Sequence, residues 1–534
     1  MYMKKLFTTI IVLLLTVSVN VYAEDYNILV DENNNFTLKD SSNNPVTDNS
    51  IAKYENNTLT LGENKTFNEI KVKHDLTITS NDKEVYINTL NSKNGNNDLE
   101  ININLDRIKV LESDNYKFEI RTGGNLNVSS SNINSNLFSF VGGYFTITNS
   151  TYNNKQSTQI LGHDDNKNSF NSDNSIINIT NQIFVKGNMI VKDSEITTNY
   201  YYISNGYSKI DNSTITVNGQ LENYIPQSLV INDIGLSINN SKIKANYIII
   251  DNGVIIRDSE ISIGENLSSG SLVSYDGNVE IYNSKLFVSN YIQPYSDNKS
   301  LSLIIENSDV EAGYIYTNRY ESPDSNTNSF YAKNSTITAH GDRTTLNGDS
   351  IFDSCKINIQ KSIHSNKNVT ILNSSGVLSN ITMIDNNLTI KDSIIHFLNE
   401  TNETGFNGNL APLIVNNDLI INNSNIVFDN SNFSNKALYV QGNVILDDKI
   451  IPIDKEKIKL KRLQLEDDTT ERSICRYCFD EDRPIYIYAY EDNTFSDYVK
   501  LATTKTISFR VRNGTWLDGK KDVLNLDYIS GEII

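Results

Sequence analysis

From about Thr58 to Val444 the chain runs through short stretches in which apolar and polar residues alternate, separated by Asn, Asp and Ser. Thr58-Leu59-Thr60-Leu61, Leu76-Thr77-Ile78 and Leu99–Leu105 set the pattern. A period of two, with Ile, Val or Leu at every other place, predicts strands that bury one face. Outside the amino terminus and Lys455–Leu465, no segment carries the 3.6-residue period of an amphipathic helix.

The stretches repeat one phrase, of which Asn188–Thr198, NMIVKDSEITT, is a clean copy. Its serine slot returns at Ser131, Ser150, Ser175, Ser194, Ser213, Ser241, Ser259, Ser284, Ser308, Ser335, Cys355, Ser374, Ser393 and Ser424. Nineteen residues separate Ser131 from Ser150, Ser175 from Ser194 and Ser374 from Ser393, while 28 separate Ser213 from Ser241. A minimum spacing with additions above it is the mark of stacked coils that carry loop insertions.

In Val254–Ile263 the apolar positions sit five and three residues before Ser259, then two and four after it. The step from Ile256 to Ile261 is odd, so a straight strand would place them on opposite faces. Both reach one core only if the chain turns between them. The turning residues are Asp258-Ser259 here, and Asn212-Ser213, Asn283-Ser284, Asn307-Ser308 and Asp392-Ser393 elsewhere. Asn and Asp tolerate the left-handed conformation that such a bend needs. The fold class that follows is all-β: a single-stranded parallel β-helix, with corner Asn side chains stacked in a ladder and strands roughly 4.8 Å apart. A propeller or a leucine-rich repeat would show a different period and signature.

The expected organisation is a secretory signal at 1–23, a lead-in or cap at 24–57, the β-helix at 58–451, a charged linker or cap at 452–483 and a small, incomplete β module at 484–534. Lys4 and Lys5, the apolar Leu6–Val19 and the small residues of Val21-Tyr22-Ala23 carry the export reading. No later apolar stretch reaches the length of about 18 residues that spans a bilayer. The chain is therefore expected to be secreted, or held on a cell surface through a part beyond residue 534.

Composition narrows the partners. Hydrophobic content is 38% and charged content 21%, with Asn, Ser and Thr filling the difference; the β-branched alternation argues against disorder. Lys+Arg is 46 against Asp+Glu 65, a formal charge of −19, and no basic stripe is present to neutralise phosphates. Nucleic acid is excluded as an expected partner. Calcium is the one cofactor the acidic balance leaves open.

The Gly-Asn-apolar-x-apolar-x-[Asn/Asp]-Ser phrase, as in Gly187–Ser194 and Gly277–Ser284, resembles the coils of secreted bacterial pectate-lyase-like β-helix proteins, including adhesins and carbohydrate-binding solenoids. Phe509–Gly519 is similar to the short β-rich repeats that join modules in bacterial surface proteins. These resemblances imply an adhesin-like surface protein that presents a binding face to glycans or a host surface. They also admit a calcium-dependent polysaccharide lyase or hydrolase, and a passive stalk.

The enzymatic reading would need clustered carboxylates near a base. Gly162-His163-Asp164-Asp165 offers His163, Asp164 and Asp165 as a candidate site, and His340-Gly341-Asp342-Arg343 a second polar loop. Eight coil intervals, roughly 38 Å at one strand spacing each, keep the two from sharing a site. No assembled acid/base set is visible, so the reading favours a non-enzymatic protein. Cys475 and Cys478, with two residues between them, are assigned to a local disulfide, over half a metal site or a redox pair. Cys355 fills a serine slot and reads as a small corner residue.

Tyrosine supplies the binding candidates: there are 29, against one Trp. Tyr200, Tyr201, Tyr247, Tyr291 and Tyr314 recur six or seven residues after a slot, so that successive coils stack some of them. If exposed, such a column suits the apolar faces of sugars; if inward, it is a core ladder. The repeat's parity leaves both open.

Overall fold

The computed structural model describes residues 25–92, 101–111, 118–162, 168–218, 229–265, 269–296, 299–317, 329–379, 382–398, 413–429, 437–440, 442–447 and 449–450, with strand backbone at 459–460, 485–489, 504–509 and 524–529. Every regular element among them is a β-strand. The chain forms two compact units, Met1–Asn188 with Asp193–Thr198, and Met189–Lys192 with Asn199–Ile534. Each is a parallel β-helix.

In the first unit one coil runs Leu126–Ser129, Asn132–Ser135 and Ser139–Val141; the next runs Phe145–Thr148, Thr151–Asn154 and Thr158–Ile160. They pair in parallel as Leu126↔Phe145, Asn132↔Thr151 and Ser139↔Thr158, which builds three sheets around one core. The second unit repeats the plan, with Val254↔Val279 in the first sheet, Glu260↔Lys285 in the second and Leu272↔Ile292 in the third.

The corner between first and second sheets is as the odd step requires. Ile256 and Ile261 are both buried, at 0% and 1% exposure. Asp258 between them has φ +49°, and Asn149, Asn174, Asn240, Asn283, Asn307, Asn334, Asn373, Asp392 and Asn423 adopt the same left-handed conformation. Their amides stack where coils meet, as from Asn174 Nδ2 to Asn149 Oδ1 at 2.7 Å and from Asn240 Nδ2 to Asn212 Oδ1 at 2.8 Å.

The serine that follows each of these corners, half-buried at Ser424 and buried at the others, does two things. Its hydroxyl donates to the carbonyl two residues back, as Ser284 does to Tyr282 at 2.6 Å, and accepts the N–H of the slot in the preceding coil, here Ser259 at 3.1 Å. In the first unit the chain of bonds runs from Ser131 N–H to Ser150, Ser150 N–H to Ser175 and Ser175 N–H to Ser194. In the second it runs from Ser213 through Ser241, Ser259, Ser284 and Ser308 to Ser335. Cys355 continues it, accepting the Ser335 N–H on sulfur and giving its own N–H to Ser374 at 2.9 Å. Burial pushes its thiol pKa up, as befits a corner residue rather than a nucleophile.

Antiparallel strands cover rung edges that would otherwise be open. Asp25–Val30 lies parallel to Thr66–Val72 and carries Phe36–Lys39 antiparallel on its other side. In the second unit Lys449–Ile450 folds back on Val444–Leu446, and Ile485–Ala489 pairs with Ala437–Val440. Thr504–Phe509 and Leu524–Ile529 form a separate antiparallel pair. Residues 1–23, Cys475 and Cys478 lie outside the described residues.

Replacing Ser284 by Ala leaves the Ser259 N–H buried without its acceptor, while the Tyr282 carbonyl keeps its bond from Asp258 N–H. The expected loss is about 1–3 kcal/mol. It should appear as a lower denaturant midpoint for S284A; a midpoint equal to that of the wild-type chain would show that the slot bond is dispensable.

Candidate functional site

Two outward surfaces of the second unit differ in kind. On the second sheet Lys242, Glu260, Lys285 and Asp309 stand in register on successive coils, alternating in sign, and all are exposed. Lys242 and Glu260 approach to 3.1 Å. Opposite charges side by side make a solvated face that holds its own register.

The third sheet carries no such charges at its central positions, which include Ile249, Val273, Gln293 and Tyr316, although Val273 is itself buried at 5% exposure. Tyrosines gather on this face. Tyr291 is in register with Tyr314, and Tyr275 with Tyr295. The Tyr314 and Tyr316 rings lie 5.6 Å apart and within 16° of parallel; Tyr291 sits 6.0 Å from Tyr316, and Tyr275 meets Tyr295 edge-on at 5.7 Å. Tyr275 is 40% exposed and the others are partly buried. Burial raises the Tyr275 phenol pKa, with Tyr291 and Asp251 adding to the effect. Tyr314 keeps its place because Gly341 lies against its ring, where any Cβ would collide with the ring carbons.

The five tyrosines singled out by spacing therefore divide. Tyr200, Tyr247, Tyr291 and Tyr314 are partly exposed, and Tyr200 stacks with Tyr202 at 6.2 Å. Tyr201 is different. It is 0% exposed, in the core among the inward residues of its strand, and its hydroxyl has no partner among the described residues. It cannot meet a ligand and leaves the candidate set, because alternation turns it opposite to Tyr200 and Tyr202. Tyr275, Tyr295 and Tyr316 join the set; their separations of 20 and 21 residues, close to one coil, are the signal that could have found them.

His163, Asp164 and Asp165 lie outside the described residues. The second polar loop splits up: His340 Nε2 pairs with Glu311 at 2.9 Å on the surface, while Arg343 turns to His364 at 2.6 Å. His364 in turn meets Asp385 at 3.1 Å, and Asn416 Nδ2 donates to the other Asp385 oxygen at 3.0 Å. Spacing predicted none of these partners, although 21 residues separate Arg343 from His364 and again His364 from Asp385.

In the first unit a shallow groove of about 480 Å³ runs over the corner, lined by Asp82, Lys109, Asn132, Asn149, Thr151 and Ile176 among others. Lys109 is held by Glu84 at 2.6 Å. Among the described residues no group of three or more His, Cys, Asp or Glu is placed to hold a metal ion, and no helix is long and apolar enough to cross a membrane.

No family model, curated protein or solved structure matches this chain.

Tyr201 generates a test of its own placement. Burial holds its phenol pKa well above the ordinary 10.0. The stability tied to its protonated form is complete below pH 10 and is lost as pH rises toward the folded-state value, because the unfolded phenol ionises first. Tyr201→Phe removes an unsatisfied buried hydroxyl, so it should be neutral or stabilising by about 1 kcal/mol at pH 7. Its unfolding free energy should also fall less steeply than wild type above pH 10, read from denaturant curves across that range. A destabilised Y201F with an unchanged alkaline slope would place the hydroxyl elsewhere.

Proposed function

We propose that this is an exported, non-enzymatic surface protein of the pectate-lyase-like β-helix kind, whose third sheet in the second unit presents a tyrosine face to glycans. The observation that carries this is the cluster of Tyr275, Tyr291, Tyr295, Tyr314 and Tyr316 on a sheet face without formal charge at its central positions, beside a second sheet that carries Lys242, Glu260, Lys285 and Asp309 on the same coils. An aromatic patch held half-exposed by backbone marks a contact surface. Tyrosine suits sugars in particular, since its ring packs on the apolar face of a pyranose and its hydroxyl remains available to polar groups.

The rungs also set a scale. Successive coils advance by about 4.8 Å, comparable to the advance of one sugar residue in an extended chain, so rings on neighbouring coils can each contact one sugar. The export reading of residues 1–23 and the surface-repeat likeness of Phe509–Gly519 agree with a protein that meets glycans outside the cell. A bacterial surface role as adhesin belongs to the same proposal.

A glycan array probed with the full chain should show binding, and Tyr291→Ala with Tyr314→Ala should reduce it about tenfold or more, the equivalent of about 1.4 kcal/mol. Lys242→Ala and Lys285→Ala on the charged sheet should leave it unchanged. Binding lost equally through the charged sheet, or no binding to any glycan, would reject the proposal.

A further inference from the structure

The charged second sheet of the second unit carries an order of its own. On successive coils its first outward position reads Thr214, Lys242, Glu260, Lys285, Asp309 and Thr336. Reversed, the series places threonine on threonine and a base on every acid. Alternation within one chain accounts for this column, since in-register neighbours such as Lys242 and Glu260 pair at 3.1 Å. It does not account for the next one.

That second column reads Thr216, Lys244, Ser262, Phe287, Glu311 and Thr338 on the same coils. Its two charges do not alternate; Lys244 and Glu311 stand three coils apart, roughly 14 Å at one strand spacing each. Yet reversal again sets threonine on threonine and base on acid, with Ser262 on Phe287. All six charged side chains are exposed. Lys285 and Asp309 have no ion-pair partner among the described residues, and the surface pairs Lys244–Glu265 and Glu311–His340 can be exchanged at little cost.

We propose that this sheet is the contact between two copies of the chain, packed face to face about a two-fold axis that runs along the strands between the coils of Glu260 and Lys285. Such an axis keeps each column facing itself and reverses the coil order, the self-complementary arrangement of a closed dimer. Lys242 then meets Asp309 of the second copy, Glu260 meets Lys285, and Lys244 meets Glu311. A two-fold axis along the coil direction would instead set Lys242 on Lys242 and Glu260 on Glu260, which like-charge repulsion forbids.

The balance of charge points the same way. The chain carries −19, but these columns hold three bases and three acids, so this face can approach its copy without net repulsion. Size sets the strength. Six coils of four-residue strand offer a patch of roughly 400 Å², about half the 800 Å² per partner of a standard interface. The dimer is therefore weak and reversible, and it is absent at the dilution of a glycan array, so this inference stands apart from the tyrosine face.

Sedimentation velocity of the full chain over a range of concentrations tests it. At low salt the weight-average sedimentation coefficient should rise with concentration toward a dimer, and about 1 M NaCl, which screens charges beyond about 3 Å, should hold the chain as a monomer. Lys285→Glu puts an acid opposite Glu260 of the second copy and should weaken the dimer about tenfold or more. Glu260→Lys added to it should restore the dimer, because the pair across the axis is again opposite in sign. Lys242→Glu and its rescue by Asp309→Lys repeat the test at the outer coils. Circular dichroism matching the wild-type spectrum confirms the fold of each variant. A monomer at every concentration in low salt, a dimer undiminished in both K285E and K242E, or folded double variants that fail to regain it would overturn the proposal.

Discussion

The structure depends on a buried hydroxyl at a left-handed corner. A slot serine such as Ser284 donates a hydrogen bond from its hydroxyl to its own chain two residues back and accepts one from the N–H of the coil before it, so one side chain both closes the bend and ties two coils together. The preceding Asn or Asp accepts a backbone conformation that β-branched residues avoid. Cys355 shows what the slot demands: a small group that can accept a hydrogen bond while buried.

Fixing the corner fixes register, and register decides what every face displays. A slip of one residue would exchange core and surface throughout a strand. With register held, outward positions recur coil after coil, and each sheet becomes a surface whose chemistry is written in columns. The second sheet of the second unit spends its column on alternating charges, which stabilise a solvated wall. Its third sheet gathers tyrosines, leaves its central column without formal charge and brings Arg343 to the margin. That contrast within one scaffold is what turns architecture into a functional reading.

Much of the scaffold was legible because it rests on local rules. The odd step from Ile256 to Ile261 implies the corner, and Asp258 and Asn283 supply the conformation it needs. The faces of the tyrosines were harder. Tyr201 and Tyr291 both lie seven residues after a slot serine, yet Tyr201 is in the core and Tyr291 faces outward. The bend between second and third sheets absorbs a variable number of residues, visible as the register shift between Val288 and Tyr291, and so parity cannot be carried across it. Arg343 was visible as part of a polar loop, but its partners His364 and Asp385 were missed for another reason. Each looks isolated along the chain, and only stacking at one coil per interval makes them neighbours.

Hydrogen–deuterium exchange of the full chain with and without the glycan it binds best on the array tests the central claim most directly. If the third sheet of the second unit is the working face, slowed exchange will be confined to residues 272–275, 291–295, 314–316 and 340–346. Protection centred instead on the charged second sheet at 242–245, 260–263 and 285–288, with the tyrosine strands unchanged, would contradict it.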